Sequence, residues 1–176
     1  MTGREIAMVL AVDETGGIGC NGKLPKWNNR DDLEFFKTLT TYHTVIMGAT
    51  TYYSLPEKNR PLTMRYNVVI TRDPSKYFEI NSFVRFTTAT TMPELTKSLP
   101  YFYKKKIFVI GGAQIYDMLA DQCNTMYVTY NKGDYNCTTK LDIKKYTSNY
   151  LKETVLVEKA TYKIVKYTEP KSASPS

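Results

Sequence analysis

Asp32 and Arg65 head a small set of residues whose types and spacing could do chemistry. Asp32 precedes Leu33, Phe36 and Leu39 at i+1, i+4 and i+7, so a helix there sets a carboxylate beside an apolar stripe. A carboxylate in that place is costly unless something pairs with it. It can hold a cationic or amidine-like ring through two hydrogen bonds. A plainer reading is that Asn29 caps the helix and Asp32 is its third residue, where an acid steadies a helix start. Asp31 next door leaves open which carboxylate turns inward. Arg65 follows a proline-containing loop and leads into a strand, as many surface arginines do. Val45-Ile46-Met47 stops at Gly48, with threonines where a helix begins, and amides at a helix start favour an anion. Thr71-Arg72 closes Val68-Val69-Ile70 with a hydroxyl beside a guanidinium, a second anion site. Gly111-Gly112 follows the apolar residues 107–110 as a tight turn, without a full G-x-G-x-x-G spacing.

These groups need elements to bring them together, and strands alternate with helices along the chain. Apolar runs at 6–12, 45–47, 67–71, 83–86, 107–110 and 126–130 read as strands. Segments 31–39, 51–55, 92–98 and 113–119 read as helices, the third with Thr91 as N-cap and Glu94 as its capping-box partner. Residues 151–158 and 162–167 read as an antiparallel hairpin around Lys159-Ala160-Thr161. A glycine-rich loop runs from Gly16 to Pro25. The pattern implies an α/β fold with a mostly parallel sheet and an antiparallel edge. Ligands of such sheets sit outside the carboxyl ends of the strands, where the two anion sites at Gly48 and at Thr71-Arg72 fall.

The 176 residues suit one domain, 1–169, with a small polar tail at 170–176. With 42% hydrophobic and 23% charged residues the composition is that of a globular protein. The early apolar run is too short to span a bilayer and has no signal-peptide cleavage pattern, so a cytoplasmic protein without membrane attachment is expected. Three separated cysteines and one histidine, His43, support neither a disulfide framework nor a metal site. The net charge of +7 is spread along the chain and suits small polyanionic ligands better than nucleic acid. No aromatic–basic platform of the RNA-binding kind accompanies it.

In order, the chain reads A-V-x(5)-I-G-x-N-G-x-L-P, an acid followed by F-K, M-G-x-x-T, S-L-P, N-R-P-L, an arginine before a strand, T-R, I-G-G-x-x-x-Y and V-T. This series closely resembles dihydrofolate reductase, over nearly the whole chain from Ile6 to Tyr167. The resemblance implies an eight-stranded, mostly parallel mixed sheet with an antiparallel C-terminal strand, flanked by four helices. It implies hydride transfer from NADPH to dihydrofolate in a monomer open to antifolates such as methotrexate. Asp32 would bind the pterin ring N–H and 2-amino group and favour protonation of N5, with Thr129 bonded to its carboxylate. Trp27 and Tyr116 would complete the catalytic group. Val9 and Ile110 would offer carbonyls to the pterin. Leu33, Phe36 and Leu62 would pack on the pterin and benzoyl rings, Asn59 would lie near the benzoyl amide, and Arg65 would pair with the glutamate α-carboxylate. Around the cofactor would stand Ala11, Ile18, Gly48, Thr50, Thr51, Ser54, Gly111, Gly112, Ala113, Gln114 and Ile115, with Thr71 and Arg72 at the 2′-phosphate. The loop from Gly17 to Lys26 would close over the site.

Two departures bear on chemistry. Leu24-Pro25-Lys26-Trp27 stands where the family reads Leu-Pro-Trp. Counting from Pro25 puts Lys26 at the tryptophan position, and counting back from Asp32 puts Trp27 there. Ala49 and Thr50 follow Met47-Gly48 where the family has a lysine or arginine, so weaker NADPH binding is expected. The competing readings are a reductase of ribosylated pyrimidines, disfavoured by Asp32 and Arg65, and a reductase-like protein kept for binding or assembly.

Overall fold

Eight apolar runs assemble one sheet, and the computed structural model describes residues 4–19 and 29–171. In chain order the elements are β1 (Glu5–Val12), β2 (Gly17–Gly19), α1 (Arg30–Thr40), β3 (Thr44–Gly48), α2 (Ala49–Ser54), β4 (Tyr66–Ile70), β5 (Val84–Thr87), α3 (Met92–Lys97), β6 (Lys106–Gly111), α4 (Ala113–Leu119), β7 (Thr125–Asn131), β8 (Thr139–Lys140), α5 (Ile143–Thr147), β9 (Tyr150–Glu158) and β10 (Tyr162–Pro170). The main sheet runs β5-β4-β3-β6-β1-β7-β10-β9, and β2 pairs with β8 in a small second sheet.

Strands β1, β3, β4, β5, β6 and β7 pair in parallel, and β10 runs antiparallel to both β7 and β9. The expected mixed sheet is therefore present, and a fifth helix, α5, joins the four expected ones. Alternation along the strands fills both faces. Ala7, Val9, Val45, Met47, Phe108 and Tyr127 form one core with Tyr52 of α2, against which Phe35, Phe36 and Leu39 of α1 pack. Met8, Leu10, Ile46, Val109 and Val128 form the other, with residues of α3, α4 and α5.

The α3 start departs from the expected capping box. Thr91 occupies the N-cap position but its side chain makes no capping bond. Gln122 Oε1 accepts from the Met92 N–H at 2.6 Å instead, so a residue beyond α4 satisfies that donor. Among the described residues no helix is long and apolar enough to cross a membrane.

Candidate active site

Parallel pairing carries the ends of β1, β3, β4, β6 and β7 to one edge, and α1 packs on one face of the sheet with its start beside β7 and its end beside Arg65. Asn29 caps α1 by accepting from the Asp32 N–H at 3.0 Å. Asp32 is therefore the third helical residue, and its side chain also leaves the helix for the sheet. Thr129 Oγ1 donates to its carboxylate at 2.5 Å. Asp31 goes elsewhere, accepting from the Tyr162 hydroxyl at 2.8 Å. Asp32 is thus the carboxylate turned toward the sheet. Burial raises its pKa from the ordinary 3.8, and the Thr129 hydrogen bond opposes that rise without cancelling it.

Arg65 lies at the other end of α1, ahead of β4, and is 6% exposed. Its Nε donates to Thr63 O at 2.9 Å and its Nη1 to Thr40 Oγ1 at 3.1 Å, with the guanidinium carbon 5.9 Å from the Phe36 ring centroid. Among the described residues no carboxylate pairs with it. Burial lowers its pKa, so an arriving anion would relieve a real desolvation cost. Asn67, fully buried, holds the loop before it. Its Oδ1 accepts from Leu62 N at 2.9 Å, and its Nδ2 reaches Leu62 O and Arg65 O at 3.0 Å each.

Between these charges lies an apolar floor. Leu62 is buried, Phe36 and Ile110 are half-buried, and Leu33 of α1 is 66% exposed. Ile110 sits at a register shift between β3 and β6, where Ile46 pairs with Val109 and Met47 with Gly111. An unpaired residue of that kind re-aims its backbone at a site. Asn59 ends a short 3-10 turn and is exposed. Tyr116, buried in α4, donates its hydroxyl to Val9 O at 2.8 Å, which ties the helix to β1.

The turns after β3 and β6 converge. A Cβ on Gly48 would stand 3.1 Å from Ile115 Cγ1. On Gly111 (φ +128°) and Gly112 it would stand 3.5 Å and 3.4 Å from Thr51 Oγ1, and on Gly111 also 3.2 Å from the Tyr116 hydroxyl. The glycines therefore leave room for close backbone approach at the starts of α2 and α4. Thr51 is half-buried, Thr50 and Gln114 are exposed, and Ser54 Oγ turns back to Thr51 O at 2.6 Å. At the end of β4, Thr71 Oγ1 accepts weakly from Asp73 N at 3.3 Å, and Arg72 is exposed. Ala11 lies beside Thr129 in register, and Ile18 lies half-buried in β2. Ala113 is half-buried at the first position of α4. Lys26 and Trp27 lie outside the described residues.

Asp13 is a structural residue that the sequence reading passed over. Its carboxylate is 3% exposed and accepts from Thr15 N and Gly17 N at 2.8 Å, Thr15 Oγ1 at 2.7 Å and Tyr135 N at 3.0 Å. Burial opposes ionisation there, but the bonds from Tyr135, Thr15 and Gly17 prevail and hold the pKa down at about 2. A separate 540 Å³ groove lined by Gln114, Asp117, Lys145 and Tyr146 shares only Gln114 with these residues. Its Asp117 is already bonded to Lys145 and Tyr146. Among the described residues no three metal-ligating side chains come together. Cys123 is buried, and burial pushes its thiol up to about 12, which removes it as a nucleophile at neutral pH.

The family model described as dihydrofolate reductase matches residues 5–169. The chain belongs to the dihydrofolate reductase family. It is 32% identical over 148 residues to a dihydrofolate reductase of Aedes albopictus, covering 76% of this chain and 77% of that one. It is 38% identical over 149 residues to a bifunctional dihydrofolate reductase-thymidylate synthase of Daucus carota, covering 77% of this chain but only 28% of the carrot protein. Dihydrofolate reductase from Enterococcus faecalis, solved in complex with NADP(H) and RAB-propyl, superposes with a TM-score of 0.72 at 25% identity, over 93% of this chain and 95% of that one. The chain is an oxidoreductase of the dihydrofolate reductase class, and NADPH is the cofactor of that class.

Proposed function

We propose that the carboxyl edge of this sheet reduces 7,8-dihydrofolate to 5,6,7,8-tetrahydrofolate through Asp32. The observation that carries the reading is the half-buried Asp32 carboxylate, held by Thr129 at 2.5 Å, in a chain of this family. Bound NADPH supplies the hydride. Asp32 takes the pterin ring N–H and 2-amino group in a two-point contact, and its charge favours a proton at N5. A carboxyl whose pKa is raised by burial is suited to that work. Thr129 orients it. Val9 and Ile110 offer carbonyls to the pterin edge. Leu33, Phe36 and Leu62 exclude water from the rings, and Asn59 lies toward the benzoyl amide. Arg65 receives the glutamate α-carboxylate, which supplies the acid that the buried guanidinium lacks among the described residues.

For the cofactor, Gly48, Thr51, Gly111, Gly112, Ala113 and Gln114 would hold the pyrophosphate at two converging turns, with Thr50, Ser54 and Ile115 beside them. Thr71 and Arg72 would take the 2′-phosphate. Ala11, Ile18 and Tyr116 would line the nicotinamide side, and Trp27 would complete the catalytic group. The glycine cradle fits such a group. The missing cation at Ala49 weakens its grip without abolishing it, because the backbone amides and Arg72 remain.

The product would serve one-carbon metabolism and thymidylate synthesis in the cytoplasm, from a monomer of one domain that binds antifolates and no nucleic acid. The test is loss of NADPH absorbance on adding dihydrofolate, blocked by methotrexate. Folded protein that binds methotrexate at saturating NADPH but does not turn over would instead favour a binding or assembly role.

A further inference from the structure

Among the described residues, three side-chain hydrogen bonds stitch the first turn of α1 to the sheet, and one of them acts on the Asp32 carboxylate. That one is Thr129 to Asp32. Two residues along β7, on the same face, Asn131 Oδ1 accepts from Asn29 Nδ2 at 3.0 Å. Asn29 in turn caps the Asp32 N–H at 3.0 Å. The third is Tyr162 to Asp31, and Tyr162 is the register partner of Asn131 across β7 and β10.

Asn131 is 4% exposed, with its Nδ2 directed at Val12 O at 3.4 Å. Replacing both members of a buried polar pair by apolar groups of the same shape can be neutral for stability. The amide pair therefore adds direction more than net stability, as satisfied buried networks do. A direction is what the start of α1 needs, because the first four amides of a helix lack internal partners and the end frays.

We propose that Asn131, acting through Asn29, is a positioning residue for the substrate-binding acid, fixing the backbone from which the Asp32 side chain emerges. Thr129 then sets only the far end of that side chain. This rests on Asp32 being the substrate acid. Among the described residues, the titratable groups that face it are Asp31 from its own turn and Tyr162 from β10, while Thr129 and Asn131 of β7 do not titrate.

The test uses Asn131→Ala and Asn29→Ser in the full chain, with Asp32→Asn as reference. Serine keeps a capping oxygen but is too short to reach Asn131. It also sits at an accessible helix start, so it remains informative should Asn131→Ala fold poorly. Each variant should raise KM for dihydrofolate by about three- to tenfold, the range of one net hydrogen bond. Each should move the turnover–pH midpoint downward as Asp32 becomes better hydrated, with the Kd of NADPH unchanged. The double variant should be no worse than the poorer single one. Lowered melting temperature with KM and the pH midpoint unmoved would overturn the inference, as would additive effects or an equal loss of NADPH affinity. Full activity of Asp32→Asn would instead remove the underlying reading of Asp32.

Discussion

At Asp32 two physical demands meet. A carboxylate at the third position of α1 steadies the helix, yet its side chain is held at the sheet, where burial raises its pKa. A carboxyl whose folded pKa lies above its unfolded value of 3.8 contributes stability below 3.8 and loses it as pH rises through the folded value. Asp32→Asn should therefore melt at a higher temperature than the parent at neutral pH, with the gap closing as pH falls below the ordinary carboxylate range. Thermal scans across pH check this. Arg65 makes the converse case, a buried cation with no acid beside it among the described residues. Arg65→Gln should raise KM for dihydrofolate by about ten- to a hundredfold, the range of a charged hydrogen bond. NADPH affinity should hold, which titration with each ligand separately checks. Asp32 stood out in the sequence by its place beside an apolar stripe, whereas Arg65 resembled a surface arginine before a strand and gained a role only from the family resemblance. Asn131 and Asp13 were not, because their roles depend on partners 102 and 122 residues away, Asn29 and Tyr135.

At the scale of elements, the turn before α2 and the end of β1 carry separate predictions. The α2 start has backbone amides but no cation at Ala49. Ala49→Lys should tighten NADPH roughly tenfold, as one added charged contact would. An unchanged Kd by fluorescence titration would mean that Arg72 and the amides already saturate the phosphates. The Asp13 carboxylate binds the end of β1 to β2 and to Tyr135. Asp13→Ala should cost about 2–3 kcal/mol in urea unfolding by stranding buried amides. Because its pKa is depressed, that contribution is present above 3.8 and fades as pH falls toward about 2. The long apolar strands and the patterned helices were legible because burial imprints a period on them. Strands β2 and β8 and helix α5, of three, two and five residues, were not, since so few residues hold no period. Thr91 looked like a capping residue because the motif is local, whereas the bond that forms comes from Gln122.

Across the whole molecule, alternating strands and helices specify the class of fold but not the strand order. The insertion of β6 between β3 and β1 is what sets Gly111-Gly112 beside Gly48, and no local pattern prescribes it, because the pairing joins segments distant in the chain. With the start of α1 beside β7, its end beside Arg65 and the two glycine turns after β3 and β6, the ligands should tie the separate elements together. NADPH at a hundred times its Kd should stabilise the protein by about 2.7 kcal/mol, seen as a concentration-dependent rise in melting temperature. The most direct measurement is the single-turnover rate of NADPH oxidation by the parent chain and by Asp32→Asn, at neutral pH with both ligands saturating. Methotrexate-sensitive oxidation by the parent, with a rate about a hundred- to ten-thousandfold lower in the folded variant, is the expected result. Equal rates in the two proteins, or a folded parent that oxidises no NADPH with dihydrofolate, would contradict it.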